Sequence, residues 1–522
     1  MRIRHTLPLL PLTFLLAACQ DAALPTVPHA PRADVVASAA LTVNLLTDAG
    51  DGVCGDGSCT LRDAITSAAP GDQIGFSVTG TIALTGGQLV IDRGVSIAGP
   101  GADQLTVSAT GPSRVLYVLG TGTAPVQISG LTIANGDMNG PGGCIQSEGS
   151  TLTLQAVVVA DCRSQGAGGA IGSSGDASGV GRLNIDHSTV RGSWAANGGG
   201  GVYNNHNSYL FIRQSTIALN EGREGGGVGS TGYAVIVSST VSGNRARFHG
   251  GGVYAADRDD AGMQVTWSTI VGNVADSDGN GDGDGGGFYN SDAYFSVTGS
   301  IVANNDDAGR QAPDCGAFNP TPAQGAVNLI EDLTGCTFYG ASATVQADPL
   351  LGPLTDNGGA TLTHLPLAGS PAIDAGGTVC EFLDQRDLPH LVGAACDIGA
   401  VEVQPLTVSI DIRPGSTENP VSLKLGGMLP VAVLGSASFD ASTIVVSTVQ
   451  LAGAGVAPRP KTQGGGYMAS LEDVNADGYL DLVAHFSVKS LGLTLGTTSL
   501  TLTATLTTGA VVAGSDLVRV MP

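Results

Sequence analysis

Through its middle the chain repeats the phrase GGGV, or a near variant of it, six times. Aligned on the apolar residue that closes the phrase, the marks are Ile145, Ile171, Val202, Val228, Val253 and Phe288, at steps of 26, 31, 26, 25 and 35 residues. A second phrase, S-T-(I/V)-x-x-N, falls between them and is marked by Ile133, Val158, Val190, Ile217, Val241, Ile270 and Ile301. Self-similarity at a period of about 20–50 residues is the signature of stacked repeats.

The repeats hold short β-branched runs such as VTWSTIVGN at 265–273 and SVTGSIVANN at 296–305, alternating at period 2 with no helical pattern between them. A chain of this kind can lay each turn on the last as a parallel β-helix, with Val202, Val228 and Val253 above one another in the core. The glycines permit positive φ and close backbone approach at a corner. Asn220, Asn244, Asn273 and Asn304 close the second phrase and are expected to form an internal amide ladder, with Asp161 and Ser193 in that place in two other repeats. Short strands at 74–78, 81–84, 89–91, 95–97 and 105–107 put the start of the coil near residue 72.

Glycine makes up 79 of the 522 residues, aromatics only 4%, and the formal charge is −23, which argues against nucleic acid or an anionic membrane surface as a partner. The N-terminus reads as an export signal: Arg2 and Arg4, an apolar run from Leu7 to Leu16, then Leu16-Ala17-Ala18-Cys19. That ending resembles the bacterial lipobox and implies lipidation of Cys19. Residues 1–19 are then a lipoprotein signal peptide and 20–40 an Ala/Pro-rich tether. The chain would sit at the cell surface or outer membrane, on its extracellular or periplasmic face, held through the N-terminal lipid. Of nine cysteines, removing Cys19 leaves eight, an even number in an exported chain. The expected disulfides join sequence neighbours: Cys54 to Cys59, Cys144 to Cys162, Cys315 to Cys336, and Cys380 to Cys396.

The run CTLRDAI at 59–65 resembles the CSLREA motif of bacterial surface proteins. It reads as a helix capped by Thr60 and Asp63 that would plug the open end of the coil. DNGGATLTHLPLAGSPAIDAG (356–376) and CDIGAVE (396–402) resemble the end of the choice-of-anchor Q β-helix proteins, except that Asp387 follows Asp384-Gln385-Arg386 where a glycine is usual. The repeats are also loosely similar to those of polymorphic outer-membrane proteins. These resemblances imply a right-handed parallel β-helix over 41–405 and no particular reaction. SIDIRPGS (409–416) and EDVNADGYLDLVAHF (472–486) resemble a C-terminal module of secreted bacterial proteins, so 406–522 is expected to be a small antiparallel β-sandwich. Its strands are expected at 406–412, 421–425, 429–434, 442–450, 480–486 and 499–506.

Asp473, Asn475, Asp477, the Tyr479 carbonyl and Asp481, with Gly478 between, match the spacing of a calcium loop, the alternative being a solvated Asp-Gly turn. Asp276, Asp278, Asn280, Asp282 and Asp284 form a second candidate, with a flexible acidic loop as its alternative. Calcium is the expected cofactor, in a structural role. Tyr203, Tyr254 and Tyr289 each follow the closing apolar residue and should face outward, where they could stack on sugar rings or on one another. No catalytic constellation stands out. Asp259/Asp260 and Asp306/Asp307 read as loop residues, and His249 has no acidic pair beside it. The expectation is a lipid-anchored, non-enzymatic surface protein acting in adhesion, surface structure or glycan binding. Its partners would be extracellular polysaccharide or another surface protein. The alternative is a polysaccharide lyase or glycoside hydrolase on a pectate-lyase-like coil.

Overall fold

The computed structural model describes residues 40–522 apart from 56, 121–123, 178, 257–261, 319–326, 337–343, 394, 425, 461–464 and 509. Cys19, the signal and the tether as far as residue 39, and Asp259 and Asp260 lie outside the described residues, while Ala40, expected to end the tether, already lies in a strand. The middle of the chain is a parallel β-helix. One rung runs Val202–Asn204, Ser208–Arg213, Thr216–Ala218 and Glu221–Gly222, and the next begins at Val228. Each strand pairs in parallel with its counterpart one rung on. Among the described residues the four faces hold, in that order, nine, ten, eleven and seven strands.

The closing residues of the first phrase stack in register from Ile145 through Ile171, Val202, Val228 and Val253 to Phe288, all buried. The second phrase needs two corrections. The inward column is Ile133, Val159, Val190, Ile217, Val241, Ile270 and Val302. Val158 and Ile301 instead take the threonine place. Both rungs carry two adjacent β-branched apolar residues, and only the pleat decides which one faces in. The same one-residue shift puts Asn305, not Asn304, and Cys162, not Asp161, at the corner.

That corner is a ladder. The Ser193 N–H donates to Asn220 Oδ1, and Asn220, Asn244 and Asn273 each donate backbone and amide N–H to the Oδ1 of the next asparagine, at 2.9–3.0 Å. Asn305 ends the run on Asp314 Oδ1. A second ladder runs along the neighbouring corner. The serine of S-T-(I/V) bonds rung to rung: the N–H groups of Ser188, Ser215, Ser239 and Ser268 donate to the Oγ of Ser215, Ser239, Ser268 and Ser300.

The three glycines of the first phrase serve three purposes. Gly199 and Gly225 have φ near +65°, which most side chains resist. A Cβ on Gly200 would lie 2.2 Å from the Gly226 carbonyl of the next rung. A Cβ on Gly201, Gly227 or Gly252 would lie 3.0 Å from the amide of Asn220, Asn244 or Asn273. The third glycine and the asparagine therefore share one small space within each rung. In the rung of Ile171, Ala170 and Ser193 take those two places. In the rung of Ile145 the two places are joined by the Cys144–Cys162 disulfide.

The helix Leu61–Ser67 has the expected capping box between Thr60 and Asp63, and Leu61, Ala64 and Ile65 are buried. Leu61 lies against Ile97, Val107, Ile128 and Ile133 at the end of the core. The coil starts earlier than expected, because Ala40–Val43 pairs in parallel with Gln73–Phe76. The helix is thus an insertion after the first strand. The Cys54–Cys59, Cys315–Cys336 and Cys380–Cys396 disulfides also form.

Beyond Gln404 the chain forms an antiparallel β-sandwich around Ile412, Val431, Val433, Leu451, Phe486, Leu502 and Val512. Met428–Val433 pairs with Asp481–Ser487, and Ser499–Thr505 with Val511–Leu517. The strand expected over 442–450 is replaced by two short 3-10 turns, Ala441–Thr443 and Val446–Thr448. Asp440 accepts the Ser442 N–H and so starts the first turn; β-branched composition alone does not reveal it.

The ladder predicts that Asn244→Ala will destabilise the coil well beyond an average substitution. It strips partners from the buried Asn220 amide groups and the Ile217 carbonyl. At ~1–3 kcal/mol for each buried group left unpaired, the loss should be on the order of 3 kcal/mol. Urea denaturation with the disulfides intact checks this, and a loss below about 1 kcal/mol would show that the ladder is not a principal support.

Candidate functional site

The threonine of S-T-(I/V) points outward on the eleven-stranded face. Over the later rungs that face is covered by residues 351–403, which return along it. Thr216 Oγ1 donates to the Leu362 carbonyl, Thr240 Oγ1 to Gln385 Oε1, and Thr269 Oγ1 accepts the Ala400 N–H. Gln385 Nε2 donates to Thr216 and Thr361 hydroxyls, so it fastens the strap to the coil. The segments that resemble the choice-of-anchor Q ending are thus a strap. Its Asp387, in the place where a glycine is usual, has φ +64°, a value that aspartate tolerates better than most residues. Its carboxylate meets His187 Nε2 at 3.0 Å and the Gln214 amide at 2.6 Å.

Within the strap lies a buried polar network. Asp384 Oδ2 accepts from Arg386 Nη2 at 2.7 Å and from the Glu402 N–H. Glu402 accepts the N–H groups of Val392 and Asp397, and Asp397 those of Asp374 and Val403. Burial outweighs these bonds. It raises Glu402 to about 8 and Asp397 to about 6, each further raised by neighbouring carboxylates.

Tyr203, Tyr254 and Tyr289 do face out of the nine-stranded sheet, but they do not make an open aromatic flank. Tyr289 is buried, with His249 stacked on it at 4.0 Å and Tyr254 at 6.1 Å. Gly229 separates Tyr203 from Tyr254 in the column. The acidic loop beside this corner is internally bonded: Asp276, itself buried, accepts the Asn280 and Gly281 N–H groups, and Asn280 that of Asp282. The Asp284 N–H donates to His249 Nδ1, and burial, then the nearby Asp307 charge, raises its carboxyl. Asp306 and Asp307 are not loop residues. They pair with Val274–Ala275, and Asp307 is buried and accepts the N–H groups of Gly309, Gln311 and Ala312.

In the C-terminal module, Asp473 accepts the Asp477 and Gly478 N–H groups, and Asp477 accepts that of Tyr479. Gly478 has φ +90°. Asp481 is buried and accepts the Gly435 and Val474 N–H groups, tying the loop to the strand before it. The oxygen donors suit a hard cation, and each bonded carboxylate oxygen keeps a second lone pair. Among the described residues, however, no three His, Cys, Asp or Glu side chains are grouped so as to hold a metal.

Sequence reasoning missed the His187–Asp387 pair because its partners lie 200 residues apart, and it missed the strap network because no local pattern marks which carboxylates become buried. The usable signal was the outward threonine column itself, since a row of outward hydroxyls suits a second layer bonded onto it.

The molecule is a parallel β-helix protein carrying an antiparallel β-sandwich. No family model matches the chain, and no curated protein matches it. Among solved structures it is similar to one titled "Crystal structure of pectate lyase Pel9A", at 13% identity and a TM-score of 0.47, over 70% of this chain and 97% of that one.

The raised carboxyls of the strap set a pH dependence. The folded chain keeps these protons to higher pH than the unfolded chain does. Their contribution to stability is therefore present in full below the ordinary carboxylate range and is lost as pH rises from there toward about 8. The thermal midpoint should fall between pH 5 and pH 8, and Glu402→Gln should flatten that slope. A midpoint rising over the same interval would contradict the assignment.

Proposed function

We propose that this chain is an exported, lipid-anchored surface protein that binds glycans without cleaving them, the coil being its rigid scaffold. The observation that carries the non-cleaving part is how the buried carboxylates are employed. Asp276, Asp307, Asp384, Asp397 and Glu402 each accept two or more backbone N–H groups, so they fasten loops and strap. A catalytic pair needs carboxyls free to reach a substrate. Four disulfides support export to an oxidising compartment. The test is incubation with a polysaccharide panel in the presence of calcium, reading retention on the polymer and release of soluble sugar separately. Retention without release is expected. Release of new reducing ends or unsaturated products would establish the alternative, a lyase or hydrolase. The corner where Asp284 meets His249 and Tyr289 is where that alternative would be sought.

Anchoring rests on Cys19. The acyl chains on a lipidated cysteine contribute ~0.8 kcal/mol for each methylene that enters the bilayer. Cys19→Ser should move the protein from the membrane fraction to the soluble one. Mass spectrometry finding an unmodified Cys19 in the mature chain would end the anchoring proposal.

Calcium at Asp473, Asn475, Asp477, the Tyr479 carbonyl and Asp481 belongs to the same proposal, as a clamp on the sandwich. A cation bound only by the folded form adds about 2.7 kcal/mol at a hundredfold excess over its dissociation constant. The protein should melt at a higher temperature in calcium than in chelator, and Asp477→Ala should remove the difference. Equal melting temperatures for the wild type would reduce the loop to a turn.

A further inference from the structure

The strap covers only part of the eleven-stranded face. Its turn at Asn357–Gly359 brings Thr361 down onto the Gln214 carbonyl, and the rungs before this point are left open. There a cleft of about 550 Å³ lies between the turn and the loop at Ala102–Asp103. That volume falls inside the ~300–1,000 Å³ range of small-ligand pockets. Its floor is the outward column itself, Thr132, Val158 and Thr189, in register across three rungs. Arg191 stands over the floor. In its own column it is flanked by Ala134 and Ala160 on one side and Ala218 on the other, and these small neighbours leave the space beside it.

Two charged groups in the cleft are free. Among the described residues neither Arg191 nor Asp103 has a side-chain hydrogen bond or ion pair, and both are exposed. Asp356 is the third charge, with one oxygen accepting the Gly358 N–H. Methyl-bearing floor residues suit the C–H face of a sugar ring, carboxylates accept from its hydroxyls, and a guanidinium donates to its oxygens. The charges decide which sugars fit. One guanidinium against two carboxylates, on a chain of net charge −23, disfavours a polyanionic ligand.

We infer that this cleft is the glycan-binding site, and that it takes a short neutral oligosaccharide lying across Thr132, Val158 and Thr189 with Arg191 and Asp103 on its hydroxyls. The inference rests on the glycan-binding reading above and narrows it. It also moves the site away from the tyrosine column, whose Tyr289 is buried.

The test is isothermal titration of the detergent-solubilised full chain with cellotetraose, maltotetraose, xylotetraose and mannotetraose, alongside the polyanion tetragalacturonate. At least one neutral sugar should give a saturable isotherm, with tetragalacturonate tenfold weaker or silent. Arg191→Ala should weaken the neutral sugar at least tenfold and Asp103→Asn severalfold, with unchanged melting temperatures because both side chains are exposed. Tyr203→Ala should leave binding intact. Neutral-sugar binding that survives in Arg191→Ala would overturn the cleft and leave the glycan-binding reading standing. Tighter binding of tetragalacturonate would overturn the charge argument and with it the inference. Silence from every sugar would overturn both the cleft and the reading beneath it.

Discussion

The structure depends on side-chain hydrogen bonds that repeat from rung to rung at the corners of the coil. A parallel β-helix pairs its strands face by face, but each corner leaves backbone N–H groups turned inward, where water cannot reach them. Asn220, Asn244, Asn273 and Asn305 answer this at one corner, and Ser188, Ser215, Ser239, Ser268 and Ser300 at the next. Each side chain satisfies the backbone of its neighbour and is satisfied by the following one. The ladders therefore fix register more sharply than the apolar columns, which would tolerate a slip between similar residues.

The remaining sequence rules follow from that requirement. The third glycine is small because an asparagine amide lies against it, and where the asparagine becomes serine or cysteine the glycine becomes alanine or cysteine. The phrase S-T-(I/V)-x-x-N can then be read letter by letter. Serine bonds the corner, threonine faces out (onto the strap in the later rungs), the β-branched residue fills the core and asparagine bonds the next corner. A left-handed residue ahead of the phrase makes the bend, which explains positive φ at His187, Gln214, Ser238 and Trp267, each directly before a ladder serine.

The strap gives the coil an inside and an outside on a face that would otherwise be uniform. It brings Gln385 and Asp387 against rungs about 170 residues earlier in sequence. It buries carboxyls at the expense of their charge, and it ends short of the first rungs. The open cleft, with Arg191 in a column of alanines, exists because of that ending.

The sequence by itself determined the coil, the inward valines and the capping helix at Thr60, and it pointed to the neighbouring cysteines that the structure joins. Each of these rests on local periodicity or on partners close in the chain. It also placed the asparagine corner, apart from a one-residue shift where Val158 beside Val159 and Ile301 beside Val302 left the pleat undecided. Tertiary structure alone decided which tyrosine is buried, that Asp306 and Asp307 belong to a strand, and which outward threonines meet a strap. Those outcomes depend on how residues far apart in the chain are brought together, and a periodic sequence repeats the same local instruction in every rung without saying where a returning segment will lie on it.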